Sequence, residues 1–351
     1  MATSIRKGGP QVITSLLMQL AERGVLPDGM IRAGIRRLCA NRDASLQTEC
    51  ALETRTQFIE DMSSRTLAEV PHLANEQHYE VPAAFYEQCL GRHRKYSCCL
   101  WDEASDLDSA EARALEVSSD HADLQDGQRI LELGCGWGSF TLWMARQFPN
   151  STIVGISNSN SQRHSIERSA HEQGLTNIEI RTVDVNVLEL DEQFDRIVSI
   201  EMMEHLRNWP KLLGMMRSWL KPDGLAFVHV FCHHATPYLF DGAGPGDWMS
   251  REFFSGGIMP SLDLLPSIDA DMNVVEQWTW SGMEYAKTAE AWLQRLDSNR
   301  AAALQILADD PRGAKRALQR WRMFYLACAE CFAMYGGSRW LVGHYRLKPV
   351  R

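Results

Sequence analysis

No stretch of about 18 consecutive apolar residues occurs in this sequence, which excludes a simple membrane-spanning helix. Positive charge is also short, since 36 Lys and Arg stand against 45 Asp and Glu, for a net charge of −9. Without a basic field nothing offsets phosphate repulsion, so nucleic acid is not expected as a partner and no stable membrane association is expected. Nine cysteines are scattered along the chain. The single C-x-x-C, Cys328 with Cys331, has no second pair to complete a metal site and falls in a helical pattern, so no metal is expected. Such cysteine usage points to a reducing compartment, and the cytoplasm is the expected location. The start, Met-Ala-Thr-Ser-Ile-Arg-Lys, leads into a charged helical pattern rather than a secretory leader. Internal repeats and low-complexity segments are absent, and no strand pattern precedes residue 100.

What is present is ordinary globular material: 351 residues, 45% hydrophobic and 23% charged, enough for one large domain with an appendage or two modest ones. From Val12 to about residue 75, apolar positions recur at helical spacing, as in Ile13, Leu16, Leu17 and Leu20, then Ile31, Ile35, Leu38 and Cys39. Residues 1–105 are expected to form a helical cap over cofactor and substrate. From residue 106 strands and helices alternate, with strands predicted at Gln128–Leu133, Thr152–Ser157, Ile178–Thr182, Phe194–Ile200, Gly224–Phe231, Asn273–Ser281 and Trp340–Leu347. Near-strict alternation implies an α/β architecture, a doubly wound, parallel, Rossmann-like sheet of seven strands. Long helices at Ala289–Arg316 and Ala317–Tyr335 are expected to make a helical insertion at about 285–335 in the domain spanning 106–351.

The most informative run is Ile130-Leu131-Glu132-Leu133-Gly134-Cys135-Gly136-Trp137-Gly138-Ser139, an apolar strand ending in three alternate glycines before a helix. Glycines let the backbone turn tightly and approach a ligand, and the helix start aims free N–H groups at the same crevice. Glu132, two places before the first glycine, would repel a pyrophosphate but attract a cationic ligand such as S-adenosylmethionine. After the second strand no carboxylate is available before Glu167 to bridge ribose hydroxyls, so Asn158 and Gln162 are the expected hydrogen-bonding partners. Ser159 and Ser161 can equally be helix caps. Asp184, between Val183 and Val185, is an acceptor suited to an adenine amino group, and Ser157 and Ile200 stand at strand ends beside the same crevice.

The fourth strand runs into Glu201-Met202-Met203-Glu204-His205. If this turn is helical, Glu201, Glu204 and His205 share a face. An amine acceptor is protonated at neutral pH and must lose a proton before it can take a methyl group; a carboxylate would orient the cation, and an imidazole with a pKa near ~6.5 can accept the proton. The alternative is a solvated acidic helix start.

These residues carry a resemblance. The chain resembles the cyclopropane fatty acid synthase superfamily of class I methyltransferases, and within it the coclaurine N-methyltransferases and their pavine and tetrahydroprotoberberine relatives. The resemblance runs through Tyr79-Glu80-Val81-Pro82, Ser97-Cys98-Cys99, the glycine loop, Asn158-Ser159 with Gln162, Glu201 with Glu204-His205, Phe231-Cys232-His233, Asp247-Trp248, Phe254, Tyr285 and Arg295-Leu296-Asp297. It implies that Tyr96, Ser97, Gly134, Gly136, Asn158, Gln162 and Asp184 hold S-adenosylmethionine, and that Glu201, Glu204 and His205 sit at the pocket of a small amine. It also raises a competitor, lipid cyclopropanation, in which the matching residues Cys98, Glu204, His229 and Tyr325 hold a bicarbonate base. Glu201 speaks against that chemistry, since a charge beside an acyl chain is costly unless paired. Aromatic residues would suit a flat cationic amine of the benzylisoquinoline or tetrahydroisoquinoline type. Of these, Trp248, Phe254, Tyr285 and Trp321 are expected near substrate, with Tyr79 and Tyr325 in the same wall. A third reading is a protein that binds S-adenosylmethionine without turnover. The first 75 residues either cover the acceptor pocket or form a homodimer surface.

Overall fold

Seven strands of this chain lie in one sheet whose inner strands are almost wholly buried, whereas the edge strands, Ile178–Thr182 and Met272–Trp280, carry polar exposed residues. The computed structural model describes residues 9–47, 51–69, 81–242, 244 and 247–350. Three helices come first, α1 (Gly9–Glu22), α2 (Asp28–Leu46) and α3 (Ala51–Ser63), then α4 (Ala83–Cys89) and α5 (Leu107–His121). The alternating part follows: β1 (Arg129–Leu133), α6 (Ser139–Gln147), β2 (Thr152–Ser157), α7 (Asn160–Glu172), β3 (Ile178–Thr182), β4 (Phe194–Ile200), α8 (Trp209–Trp219) and β5 (Leu220–His233). A short hairpin, β6 (Tyr238–Leu239) with β7 (Ile258–Met259), encloses α9 (Trp248–Glu252). The chain closes with β8 (Met272–Trp280), α10 (Gly282–Ser298), α11 (Arg300–Ile306), α12 (Ala314–Phe332) and β9 (Trp340–Pro349).

The strand order is β3-β2-β1-β4-β5-β9-β8. The first five are parallel, but β9 runs antiparallel to both β5 and β8, so the sheet is mixed where the alternation predicted a parallel one. The order reverses between β1 and β4, which puts a crevice outside the carboxyl ends of those strands. Local signals hold the helices in register. Asp106 and Ser109 form a capping box at α5, Ser159 caps α7, and Asn208 with Pro210 begins α8. The two long C-terminal helices predicted from periodicity are three. Asn299 interrupts the first, and Pro311 with Gly313 (φ 86°) breaks the next before α12, because proline lacks a donor and glycine takes the left-handed turn.

The N-terminal helices do not form a core of their own. Ala21 of α1 and Ile31 of α2 join one apolar cluster with Phe85, Trp248, Phe253, Trp292, Trp321 and Tyr325. Charged contacts seal the same seam. Glu22 takes Arg320 at 2.9 Å as well as Arg316, and Arg32 reaches Glu330 at 2.9 Å. α3 packs instead on α8. No helix among the described residues is long and apolar enough to cross a membrane.

Candidate active site

Where β1 ends, the backbone passes through Gly134 (φ 78°) and Gly136 (φ 51°). A Cβ at Gly134 would lie 2.5 Å from the Met202 side chain, whereas one at Gly136 would meet nothing within 4 Å. A close approach requires the first glycine, and the second opens onto space. That space is a cleft walled by Gly134, Gly136, Ser157, Asn158, Gln162, Asp184, Val185 and His205, all singled out in the sequence. Leu133, Ile156, Val183, Met202 and Leu206 complete its apolar side, and they flank strand ends already in view. Ala68 and Ser255 also line it and carried no local signal. Ala68 is brought there by Asn186, whose side chain accepts from Ala68 N at 2.9 Å and donates to Ala68 O at 3.1 Å.

Gln162 Oε1 accepts from Ser157 Oγ at 2.7 Å, while its Nε2 is buried with no hydrogen-bond partner among the described residues. Ser159 accepts from Gln162 N at 3.3 Å, the capping role foreseen as its alternative. Asp184 Oδ1 accepts from Asn186 N at 2.8 Å, which orients the carboxylate at the mouth of the cleft.

Four of the expected cofactor residues stand back from this wall. Glu132 is not among the residues that wall the cleft. It is buried, accepts from the Thr141 hydroxyl, and burial pushes its pKa up to about 7. Ser97 accepts from Lys95 Nζ at 2.6 Å, Tyr96 packs its ring against Tyr86 and Trp292, and Ile200 packs beneath the sheet end.

Beyond Met202 the turn is not an α-helical face. Glu201 is itself left-handed (φ 46°), and only Met203–His205 make a single 3₁₀ turn. The cluster converges because of that kink rather than through helical spacing. Glu201 Oε1 accepts from Cys98 N at 2.8 Å and stands 3.1 Å from His229 Nε2, and its Oε2 accepts from Tyr285 OH at 2.7 Å. Glu204 Oε1 accepts from Phe231 N at 2.8 Å, and Oε2 is buried without a hydrogen-bond partner among the described residues. His205 lies over Phe254, ring centroids 5.9 Å apart.

Burial raises the pKa of Glu201, with the Lys95 charge and the Cys98 and Tyr285 hydrogen bonds pulling it back. Burial and the Glu201 charge together raise Glu204 well above the carboxylate range, which favours its protonated form beside an ionised Glu201. Burial lowers His205 to about 4, so its ring is neutral at physiological pH.

The other expected pocket residues divide. Tyr285 and His229 touch Glu201 directly, and Cys98 does so through its backbone, its thiol turned to Cys99 O at 3.3 Å. Trp248 donates to Glu22 Oε1 at 2.7 Å and Trp321 packs between Phe85 and Phe253, which makes both part of the seam between the N-terminal and C-terminal helices. Tyr325 donates to Cys89 Sγ at 3.1 Å, and Glu204 Oε1 is taken up by Phe231 N. Tyr79 lies outside the described residues.

A family profile described as mycolic acid cyclopropane synthetase matches residues 69–336. The chain belongs to that family. It is 31% identical to an (S)-coclaurine N-methyltransferase of Thalictrum flavum subsp. glaucum over 96% of each chain. A cyclopropane-fatty-acyl-phospholipid synthase of Escherichia coli (strain K12) is 28% identical over 77% of this chain and 67% of its own. The crystal structure of a coclaurine N-methyltransferase bound to N-methylheliamine and SAH superposes with a TM-score of 0.91 at 31% identity, covering 96% of this chain and 99% of the other. The protein is a methyltransferase of class I fold that uses S-adenosylmethionine. The cleft fits that cofactor in kind, with open space over Gly136, a buried amide at Gln162 still able to donate, and apolar walls at Ile156, Val183 and Leu206 for a flat ring.

Asp43, His233 and His234 bring three ligand-type atoms within 4.8 Å of one another. His233 Nδ1 accepts from Thr236 N at 3.0 Å, so its proton is on Nε2, 3.5 Å from Asp43, and Arg339 donates to His234 Nε2 at 2.9 Å. With both imidazole lone pairs engaged, neither histidine offers a free nitrogen lone pair to a metal, and Asp43 of α2 meets the end of β5 through the 3.5 Å charged contact rather than a hydrogen bond.

Proposed function

We propose that this protein methylates the nitrogen of a small aromatic amine of the tetrahydroisoquinoline type. The observation that carries the proposal is Glu201, a buried carboxylate beside the cleft whose two oxygens are held by Cys98 N, His229 and Tyr285. S-Adenosylmethionine, when bound at Asn158, Gln162 and Asp184, supplies an electrophilic methyl group on a sulfonium. Glu201 draws in the ammonium and takes its proton, because burial has made it more basic than a surface carboxylate. Glu204 stays protonated and keeps a second negative charge out of the pocket. Neutral His205, in the cleft wall and lying over Phe254, directs the freed nitrogen toward the cofactor end. Phe254 and Tyr285, the latter stacked on Phe332 with centroids 4.2 Å apart, offer faces to an aromatic cation.

The same proposal includes residues 1–105 as the cap of that site and the cytoplasm as its compartment, which suits the eight unpaired thiols among the described residues. The test is formation of S-adenosylhomocysteine with a tetrahydroisoquinoline, run beside unsaturated phospholipid vesicles with bicarbonate. Turnover with the amine that collapses in Glu201→Gln and His205→Ala supports the reading. Turnover with vesicles alone, or cofactor binding without turnover on either substrate, overturns it.

A further inference from the structure

Lys95 is only 1% exposed, which is rare for a lysine and costly unless a negative charge repays it. Its neighbour Arg94 is left-handed (φ 52°), and Glu111 of α5 fastens the chain on either side of that turn, accepting from Gly91 N at 2.8 Å, His93 N at 2.7 Å and Lys95 N at 3.2 Å. So held, the Lys95 side chain runs inward. Nζ donates to Ser97 Oγ at 2.6 Å and to Cys98 O at 2.6 Å, and it makes no salt bridge among the described residues. Cys98 is also the residue whose N–H donates to Glu201 Oε1 at 2.8 Å. One residue therefore carries the cation on its carbonyl and the carboxylate on its amide. A neutral amide side chain could make the two hydrogen bonds that Nζ makes, so they do not account for a buried ammonium, and the charge needs another reason.

Resting on the amine reading above, we infer that Lys95 is a positioning residue for methyl transfer: its ammonium, fixed on Cys98 O, is the buried counter-charge that holds Glu201 ionised until an ammonium substrate arrives. Glu201 can draw in a cation and take its proton only from the ionised form, and burial by itself favours the protonated one. Facing Glu201 are Lys95, Cys98 and Cys99 from the loop between α4 and α5, Glu204 and His205 from its own turn, His229 from β5, Tyr285 from α10 and Cys328 from α12. Lys95 is the positive charge in this set, since burial leaves His205 and His229 neutral. After burial its charge is the first influence on Glu201, ahead of the hydrogen bonds from Cys98 and Tyr285. On Glu111, whose pKa burial raises to about 7, the same charge ranks behind three backbone hydrogen bonds. The cation is thus matched to Glu201 rather than to the carboxylate that builds its loop.

The pH profile of kcat/KM with a tetrahydroisoquinoline tests this in Lys95→Met, Lys95→Gln and Lys95→Arg, with calorimetric affinity for S-adenosylhomocysteine identifying the variants that fold. In the two neutral variants the acid limb, which reports Glu201 in the free enzyme, should move to higher pH by about one unit. Read on that limb at fixed pH, kcat/KM then falls about tenfold while the plateau above it is kept. A merely structural loss would lower the plateau and leave the limb where it was. Lys95→Arg, which keeps the charge, should leave the limb in place. An unmoved limb in the neutral variants, or the same displacement in Lys95→Arg, overturns the inference. Infrared spectroscopy of the whole protein reads the same group without substrate. The carboxylic acid C=O band that titrates in the wild type and is missing from Glu201→Gln should titrate at higher pH in Lys95→Gln, and no displacement overturns the inference. Where the wild type methylates no amine, a displaced band supports the counter-charge and overturns only the amine reading.

Discussion

The two ends of the proposed site, a cofactor end in the cleft and an acceptor end around Glu201, are built differently. At the cofactor end the polar contacts are local, five residues from Ser157 to Gln162, three from Ser159 to Gln162 and two from Asp184 to Asn186, with the Asn186 contacts to Ala68 the long-range exception. At the acceptor end Glu201 is held by residues 103, 84 and 28 positions away, Cys98, Tyr285 and His229. Strand-to-helix turns shape the first with little outside help. The second exists only when the N-terminal segment, the sheet and the insertion are all docked. Binding of cofactor and transfer to acceptor should therefore be separable by mutation.

The largest expected effect is Glu201→Gln, which keeps the shape and removes the charge. Methyl transfer should fall by about a hundredfold to a thousandfold while calorimetric affinity for S-adenosylhomocysteine is retained. Equal loss of both would erase the distinction between the two ends. Gly136→Ala tests the other end. Its Cβ would protrude into the space over the loop at a φ of 51°, so cofactor affinity should drop about tenfold and stability by about 1 kcal/mol, read by calorimetry and thermal melting.

A third prediction concerns Glu132, which belongs to the cofactor end by sequence but is buried beneath it. Its folded pKa, raised by burial from 4.5 to about 7, means that between those values the folded chain keeps a proton the unfolded chain has lost. Stability should therefore fall as pH rises through that window and level off above it, by up to about 3 kcal/mol. In Glu132→Gln the Thr141 contact survives and this component should vanish from denaturant midpoints measured between pH 5 and 8. The smallest effect is expected at Trp248→Phe, where the lost hydrogen bond to Glu22 should lower stability by about 1 kcal/mol and leave kcat within about twofold. A large fall in kcat instead would return Trp248 to the acceptor wall.

Much of the fold was legible because each strand announces itself. β2, β3 and β4 have the predicted bounds, Thr152–Ser157, Ile178–Thr182 and Phe194–Ile200. Direction was not, because β9 is as apolar as its parallel neighbours and nothing in Trp340–Pro349 states which way it runs. The division of the C-terminal helices was misread where periodicity ran on through Asn299 and Pro311, residues that end helices by backbone chemistry rather than by polarity.

The site shows the same limit. Gly134, Gly136, Asn158, Gln162 and Asp184 follow strand ends, and position at a strand end is a local property. Glu201, Glu204 and His205 were visible as residue types, but their convergence depends on a left-handed Glu201 and on partners from three other segments. Ala68 and Ser255 reach the cleft only through contacts made far along the chain.

Sequence by itself determined the alternating elements, the glycine loop and the polar residues after each strand, because periodicity, caps and glycine conformations act within a few residues. Tertiary structure alone decided which carboxylate lines the cleft and which is buried, which aromatics tie the N-terminal helices to the C-terminal ones, and that Cys98, His229 and Tyr285 meet at Glu201. Those outcomes depend on side chains distant in sequence sharing one low-dielectric interior, where burial and neighbouring charge set what each group can do.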